Sequence, residues 1–203
     1  MEGAIRAHPF LDRLEARQVP EERLRAFAAA QRQIVSSDRR SFAQLAARFP
    51  DGPAGEIFLS MAEGEGEALR RLQGFAAWLE LDQEDLRSAP PVAGAQAYPA
   101  FVAWLALNGG RADVALAFLA NLAAWGENCG RVAGALRSAY GAGEEAAAFF
   151  DFFASPPPGF EDRALAVIDA GLAAGESAAA ALDATRLLQA YELSFWDAMA
   201  EGT

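Results

Sequence analysis

A chain of 203 residues, 53% of them hydrophobic, carries enough apolar material for one sizeable core. All 17 of its cationic side chains are arginine, which excludes a lysine Schiff base or a lysine phosphate clamp, and a net charge of −11 with scattered arginines offers no basic stripe to nucleic acid or an anionic membrane. One histidine, His8, and one cysteine, Cys129, remove the mononuclear zinc, Ser-His-Asp, Cys-His and Glu-x-x-His di-iron chemistries, together with any intrachain disulfide.

The lone cysteine fits a reducing compartment. The start Met1-Glu2-Gly3-Ala4-Ile5-Arg6 lacks the pattern of a secretory leader, and no segment approaches about eighteen uninterrupted apolar residues. The expectation is a cytoplasmic, soluble protein, one domain over 1–203, with neither nucleic acid nor membrane among its partners.

In chain order, residues 3 to 17 read as a short amphipathic helix on Ile5, Phe10, Leu11 and Leu14, with His8-Pro9-Phe10 as an anchor. Pro20 opens a long helix to about Phe49, in which Leu24, Phe27, Gln31, Ile34, Asp38, Phe42 and Leu45 recur at helical spacing. Gln31 and Asp38 are the polar members of that stripe; they either face a pocket or lie half exposed at its edge. Pro50-Asp51-Gly52-Pro53 turns the chain into a second long helix, about Ala54 to Leu81, built on Ile57, Phe58, Met61, Leu69, Leu72 and Phe75. Within it, Glu63-Gly64-Glu65-Gly66-Glu67 holds two glycines, each costing about 0.5–1 kcal/mol relative to alanine, which close helix contact or pocket room would offset. Glu63 and Glu67 share a face, either solvated or available as carboxylate ligands.

Asp82 to Leu86 reads as a capped turn, and Ala89-Pro90-Pro91-Val92-Ala93-Gly94 as the loop between two helical halves. Residues 96 to 108 carry Tyr98, Phe101, Val102, Leu105 and Ala106 on one face before Asn108-Gly109-Gly110 ends the helix. From Ala112 to about Tyr140 the next helix is apolar nearly all round in its first half, which predicts a central position. Its polar run Asn121 to Gly130 is a candidate site, with Glu127 directed into the cavity; Cys129, with no adjacent base, reads as a buried thiol. After Gly141-Ala142-Gly143, the run Phe149-Phe150-Asp151-Phe152-Phe153 is too aromatic to be wholly interior, so some of its rings line a pocket or subunit interface unless the core takes them. Helices at about 160 to 174 and 177 to 200 close the chain, and no strand pattern or repeat occurs.

The last helix contains Ala184 to Asp197, where Leu188, Glu192 and Phe195 share a side. A carboxylate on such a face is paired, hydrogen-bonded or partly protonated; the last state suits acid/base chemistry, and a bond to a neighbouring helix is the structural alternative.

The succession of helices ending in Tyr191-Glu192-Leu193-Ser194-Phe195-Trp196-Asp197 resembles the TenA/PqqC group, the thiaminase II-related family of the haem-oxygenase-like fold, over nearly the whole chain. His8-Pro9-Phe10, Tyr98 at the head of its helix and Phe149 to Ser155 add to the match. The resemblance implies an all-α bundle of about seven to eight helices with a central pocket, assembled as a homodimer or homotetramer. It also implies cofactor-free hydrolysis of aminopyrimidine products of thiamine breakdown, or of thiamine itself, with Glu192 exchanging protons with the pyrimidine.

Elsewhere the chain departs from the family pattern. The nucleophilic cysteine two residues before the central-helix tryptophan is Ala123 before Trp125, the tyrosine two residues after it is Glu127, and the second-helix aspartate is missing from Gln31-Arg32-Gln33.

Three readings follow. In the first, a small heteroaromatic ligand is hydrolysed with Glu192 as acid/base, Glu127 as second carboxylate, Gln31 as amide partner, and Tyr98, Trp125, Phe149, Phe153 and Tyr191 binding the ring, without metal. In the second, the same scaffold binds or regulates without catalysis. The third is a metal-dependent oxidase with Glu63, Glu67, Glu127 and Glu192 as ligands.

Overall fold

The computed structural model describes residues 1–201, and among them it contains ten α-helices and no strand. They are α1 (Glu2–Arg6), α2 (Pro9–Glu15), α3 (Glu21–Arg48), α4 (Gly52–Trp78), α5 (Gln83–Ser88), α6 (Ala93–Asn108), α7 (Arg111–Ser138), α8 (Glu144–Ala154), α9 (Phe160–Ala173) and α10 (Ala178–Ala200). The architecture is all-α, as expected. The helix number exceeds seven to eight because His8-Pro9 breaks the N-terminal segment into two helices and Asp82 to Ser88 makes a helix of its own. Proline cannot donate to a preceding turn, so Pro9 starts α2, and the His8 Nδ1 accepts from the Phe10 N–H at 3.2 Å.

Helices α3 and α4 pack along their lengths, α6 lies across α3 and α10, and α7 is held among α8, α9 and α10. One core centres on Phe27, whose ring lies 5.5–6.5 Å from those of Phe10, Phe75, Phe150, Phe195 and Trp196. A second gathers Phe42, Phe58, Val102, Phe118 and Leu188. Burial of such side chains is worth roughly 1.5–3 kcal/mol each and carries most of the stability.

Polar contacts fix the helix ends. Arg131 of α7 pairs with Asp12 and Glu15 at 2.7 Å, tying α2 down. Glu176 accepts from the Ala112 N–H at 2.7 Å and pairs with Arg111 at 2.8 Å, placing a carboxylate at the N-terminus of α7. His8 and Asp197 join the chain's two ends: with Nδ1 already accepting, Nε2 carries the proton and donates to Asp197 Oδ1 at 3.1 Å. Phe10 also packs on Trp196, with ring centroids 5.8 Å apart, so His8-Pro9-Phe10 and the Trp196-Asp197 end of α10 are two halves of one clamp.

The mid-helix glycines have separate explanations. A Cβ on Gly66 would stand 3.2 Å from the Arg39 guanidinium, so its missing side chain makes room for that group. On α7, a Cβ on Gly126 would come within 2.9 Å of the Phe153 carbonyl, so this glycine lets α8 approach.

Candidate active site

Between the helices lies a cavity of about 50 Å³, room for a few waters but about a third of the roughly 150 Å³ that holds a benzene ring, so an aromatic ligand enters with an outward shift of the lining side chains. Its wall comes from α3 (Gln31, Ile34, Val35, Asp38), α4 (Glu65), α6 (Tyr98), α7 (Phe118, Asn121, Leu122, Trp125), α8 (Phe153) and α10 (Glu192, Phe195). Helical phase decides who reaches it. On α3, Gln31, Ile34, Val35 and Asp38 follow the three-four rhythm of one face, and on α7 Phe118, Asn121, Leu122 and Trp125 do the same.

Glu192 is 2% exposed. Its Oε1 accepts from the Trp196 indole N–H, one turn on, at 3.2 Å, while Oε2 has no hydrogen-bond partner. Burial pushes its pKa up to about 8; the Trp196 N–H and, after it, the nearby Asn121 amide pull the other way. The Asn121 amide thus lies between Glu192 and Tyr98, donating to the Tyr98 hydroxyl at 3.3 Å.

Two further acids enter from α3 and α4. Asp38 is 3% exposed with Oδ1 unpartnered, and the buried Oε2 of Glu65 also lacks a partner. Burial raises both carboxyls well above the ordinary range, and the charge of Asp38 raises Glu65 further. Tyr98 feels all three acids: burial first, then Asp38, Glu192 and Glu65, push its phenol well up. Such a site keeps protons on groups that in water would have lost them, the condition for general acid chemistry near neutrality.

Of the residues expected from sequence, Glu192, Gln31, Tyr98, Trp125 and Phe153 line the cavity together. Glu127 does not: its side chain is about half exposed and pairs with Arg6. Two residues beyond Trp125, it is rotated by about 200° around α7 and so faces outward. Ala123, two residues before Trp125, is exposed for the same reason, and Asn121 and Leu122 form the wall in that turn. Phe149 is fully buried behind the wall, its ring 5.1 Å from Phe150 and 5.2 Å from Phe153. Tyr191 packs on Phe101 at 5.2 Å, away from the lining residues. Cys129 is buried outside the cavity, its thiol pKa pushed well up by burial and then by the charge of Glu192, which makes it an inert thiol.

The four-carboxylate metal set is not assembled. Glu63 is exposed, Glu67 binds Arg70 and Arg71 at 2.6 and 2.7 Å, and Glu127 binds Arg6. Among the described residues no group of three histidine, cysteine, aspartate or glutamate side chains is arranged to hold a metal ion.

Glu65 is the polar lining residue that the sequence does not single out, whereas Asn121 belongs to the polar run expected to form part of the site. A signal for Glu65 is present: Met61 and Leu69 stand four residues to either side of it, so it fills the gap in an apolar stripe. Asn121 opens the polar run inside an otherwise apolar helix.

A helical bundle enclosing an acid-lined, aromatic-walled cavity, with its C-terminal helix clamped to its N-terminus, defines a small-cavity member of the haem-oxygenase-like fold. The model of the TENA/THI-4/PQQC family matches residues 1–202, and the chain belongs to that family. Solved structures agree on the fold. A TenA homologue from Pyrococcus furiosus superposes with a TM-score of 0.73 at 18% identity, covering 98% of this chain and 93% of that one. A haem-oxygenase-like domain of unknown function from Shewanella denitrificans gives 0.74 at 14%, covering 98% and 85%. A candidate TenA-like thiaminase from Sulfolobus solfataricus gives 0.67 at 15%, covering 98% and 89%. No curated protein matches the chain in sequence.

Proposed function

We propose that this TenA-like protein holds a small heteroaromatic molecule of the aminopyrimidine or thiamine class in the cavity and hydrolyses it with Glu192 as general acid and base. The observation that carries the reading is Glu192 itself: buried, with a pKa of about 8 and an unpartnered Oε2 at the wall of an aromatic-lined cavity. With an aminopyrimidine, the protonated carboxyl delivers its proton to the departing amine nitrogen as the carbon–nitrogen bond breaks. The carboxylate so formed takes a proton from the water whose oxygen bonds to that carbon, which returns Glu192 to its starting state. Tyr98, Trp125 and Phe153 stack on the ring, and Gln31 supplies an amide.

Incubation with aminopyrimidines and with thiamine, followed by chromatography, should show turnover in the unaltered protein and none in Glu192→Gln. Unchanged turnover in that variant overturns the assignment.

A second reading, a binding or regulatory protein without turnover, is favoured by one observation. No cysteine, serine, threonine or histidine lines the cavity, so the thiol, hydroxyl and imidazole nucleophiles of covalent hydrolysis do not face a ligand and only carboxylates and Tyr98 do. Binding of the same compounds without conversion would select it. The expected self-assembly finds support in Trp104 and Leu107 of α6, which are 54% and 66% exposed.

A further inference from the structure

The carboxylates of the cavity outnumber what one proton-transfer step uses. Asp38 Oδ1, Glu65 Oε2, Glu192 Oε2 and Asn121 Oδ1 are four buried acceptors at one cavity that find no donor. The lining contains no arginine or histidine and the chain has no lysine, so nothing in the wall neutralises the acids. Arginine is not scarce nearby: Arg70 and Arg71 engage Glu67, two residues from Glu65 on the outer side of α4. An unpaired buried acid is costly, and two facing one another are more so, unless a ligand brings the missing positive charge and N–H groups.

From this geometry we infer that the Asp38–Glu65 end of the cavity is a recognition subsite for a cationic nitrogen group, a protonated amine or amidinium on the ligand. Its N–H groups bond Asp38 Oδ1 and Glu65 Oε2, while the aromatic walls enclose the carbon frame. Charge-assisted bonds of this kind are the strong ones, and the neighbouring rings add cation–π attraction. The subsite deepens the ligand-binding reading and rests on it, but divides the work of the cavity, since Glu192 moves protons whereas Asp38 with Glu65 selects charge. The carboxyl pKa values, raised above the ordinary range, describe the same pair without its cation.

The test uses two probes of one shape, benzamidine, which is cationic, and benzamide, which is neutral, titrated calorimetrically into the full chain at neutral pH. Benzamidine should bind about 10- to 100-fold more tightly. Asp38→Asn and Glu65→Gln should each bring that ratio close to one, whereas Glu192→Gln should preserve most of it. Circular dichroism and melting of each variant establish that it is folded, and the ratio in the unaltered protein stands whether or not the variants fold. Equal affinity for the two probes, or a preference that survives both substitutions, overturns the subsite. If aminopyrimidines are bound or turned over while the ratio is near one, only the subsite falls. If no aromatic probe binds, the cavity reading falls with it.

Discussion

Glu65 and Glu67 stand two residues apart on α4 and belong to opposite regimes. Glu67, on the outer side, accepts from Arg70 and Arg71, and those bonds hold its carboxyl below the usual range. Glu65, on the inner side, has an unpartnered oxygen, and burial with the charge of Asp38 drives it upward. The contrast extends over the molecule: Glu15 and Glu144 are lowered by Arg131 and Arg137, while Asp38, Glu65 and Glu192 are raised by burial. Arginine-paired acids contribute stability above their unfolded pKa and lose it as the pH falls through their lowered folded values. The cavity acids work in the opposite sense, because the folded state holds their protons more tightly than the unfolded chain does. Their contribution is complete below the unfolded pKa and disappears as the pH rises through the raised one. The two regions therefore squeeze stability toward mildly acidic pH, and the cavity acids are the part that folding alone would not select.

Substitutions at the two regions can break or sharpen this contrast. The largest expected effect is at Glu192, where a pKa of about 8 against 4.5 implies a loss of up to about 4 kcal/mol between pH 5 and pH 9. Glu192→Gln should remove that part of the pH dependence, which denaturant unfolding at the two pH values would measure; an unchanged difference would place Glu192 outside the raised set. Next comes Asp38→Asn, which relieves one member of a repelling buried pair and should raise stability at pH 7 by about 1 kcal/mol, read from the unfolding midpoint. Destabilisation instead would mean that Asp38 is satisfied in the folded protein. The smallest is Arg131→Ala on the solvated side, expected to cost about 1 kcal/mol or less through its pairs with Asp12 and Glu15. That loss should shrink when melting is repeated in high salt, whereas the Glu192 effect should persist.

Most of the fold was legible because long apolar stripes, prolines and glycines mark helices and their ends directly. Part of the site was legible for the same reason: Gln31 and Asp38 interrupt the stripe of α3, and Glu192 interrupts that of α10. Glu127 was misplaced because nearness in sequence to Trp125 outweighed helical phase. Two residues are more than half a turn, and the side chain went to Arg6 instead. Glu65 was overlooked because it sits between Glu63 and Glu67 in a run that reads as a solvated acidic surface. Only the packing of α3 on α4 selects which of the three turns inward. Nor does any local pattern reveal that Asp38 and Glu65, 27 positions apart, meet at one cavity.

The bond from Trp196 to Glu192 gives the protein an optical gauge. This indole is sealed from solvent, and its N–H points at an acid that titrates near pH 8, so gain or loss of one proton changes the electric field on a buried fluorophore. The chemistry of the cavity is therefore wired to one of the protein's four intrinsic tryptophan fluorophores, with no label added.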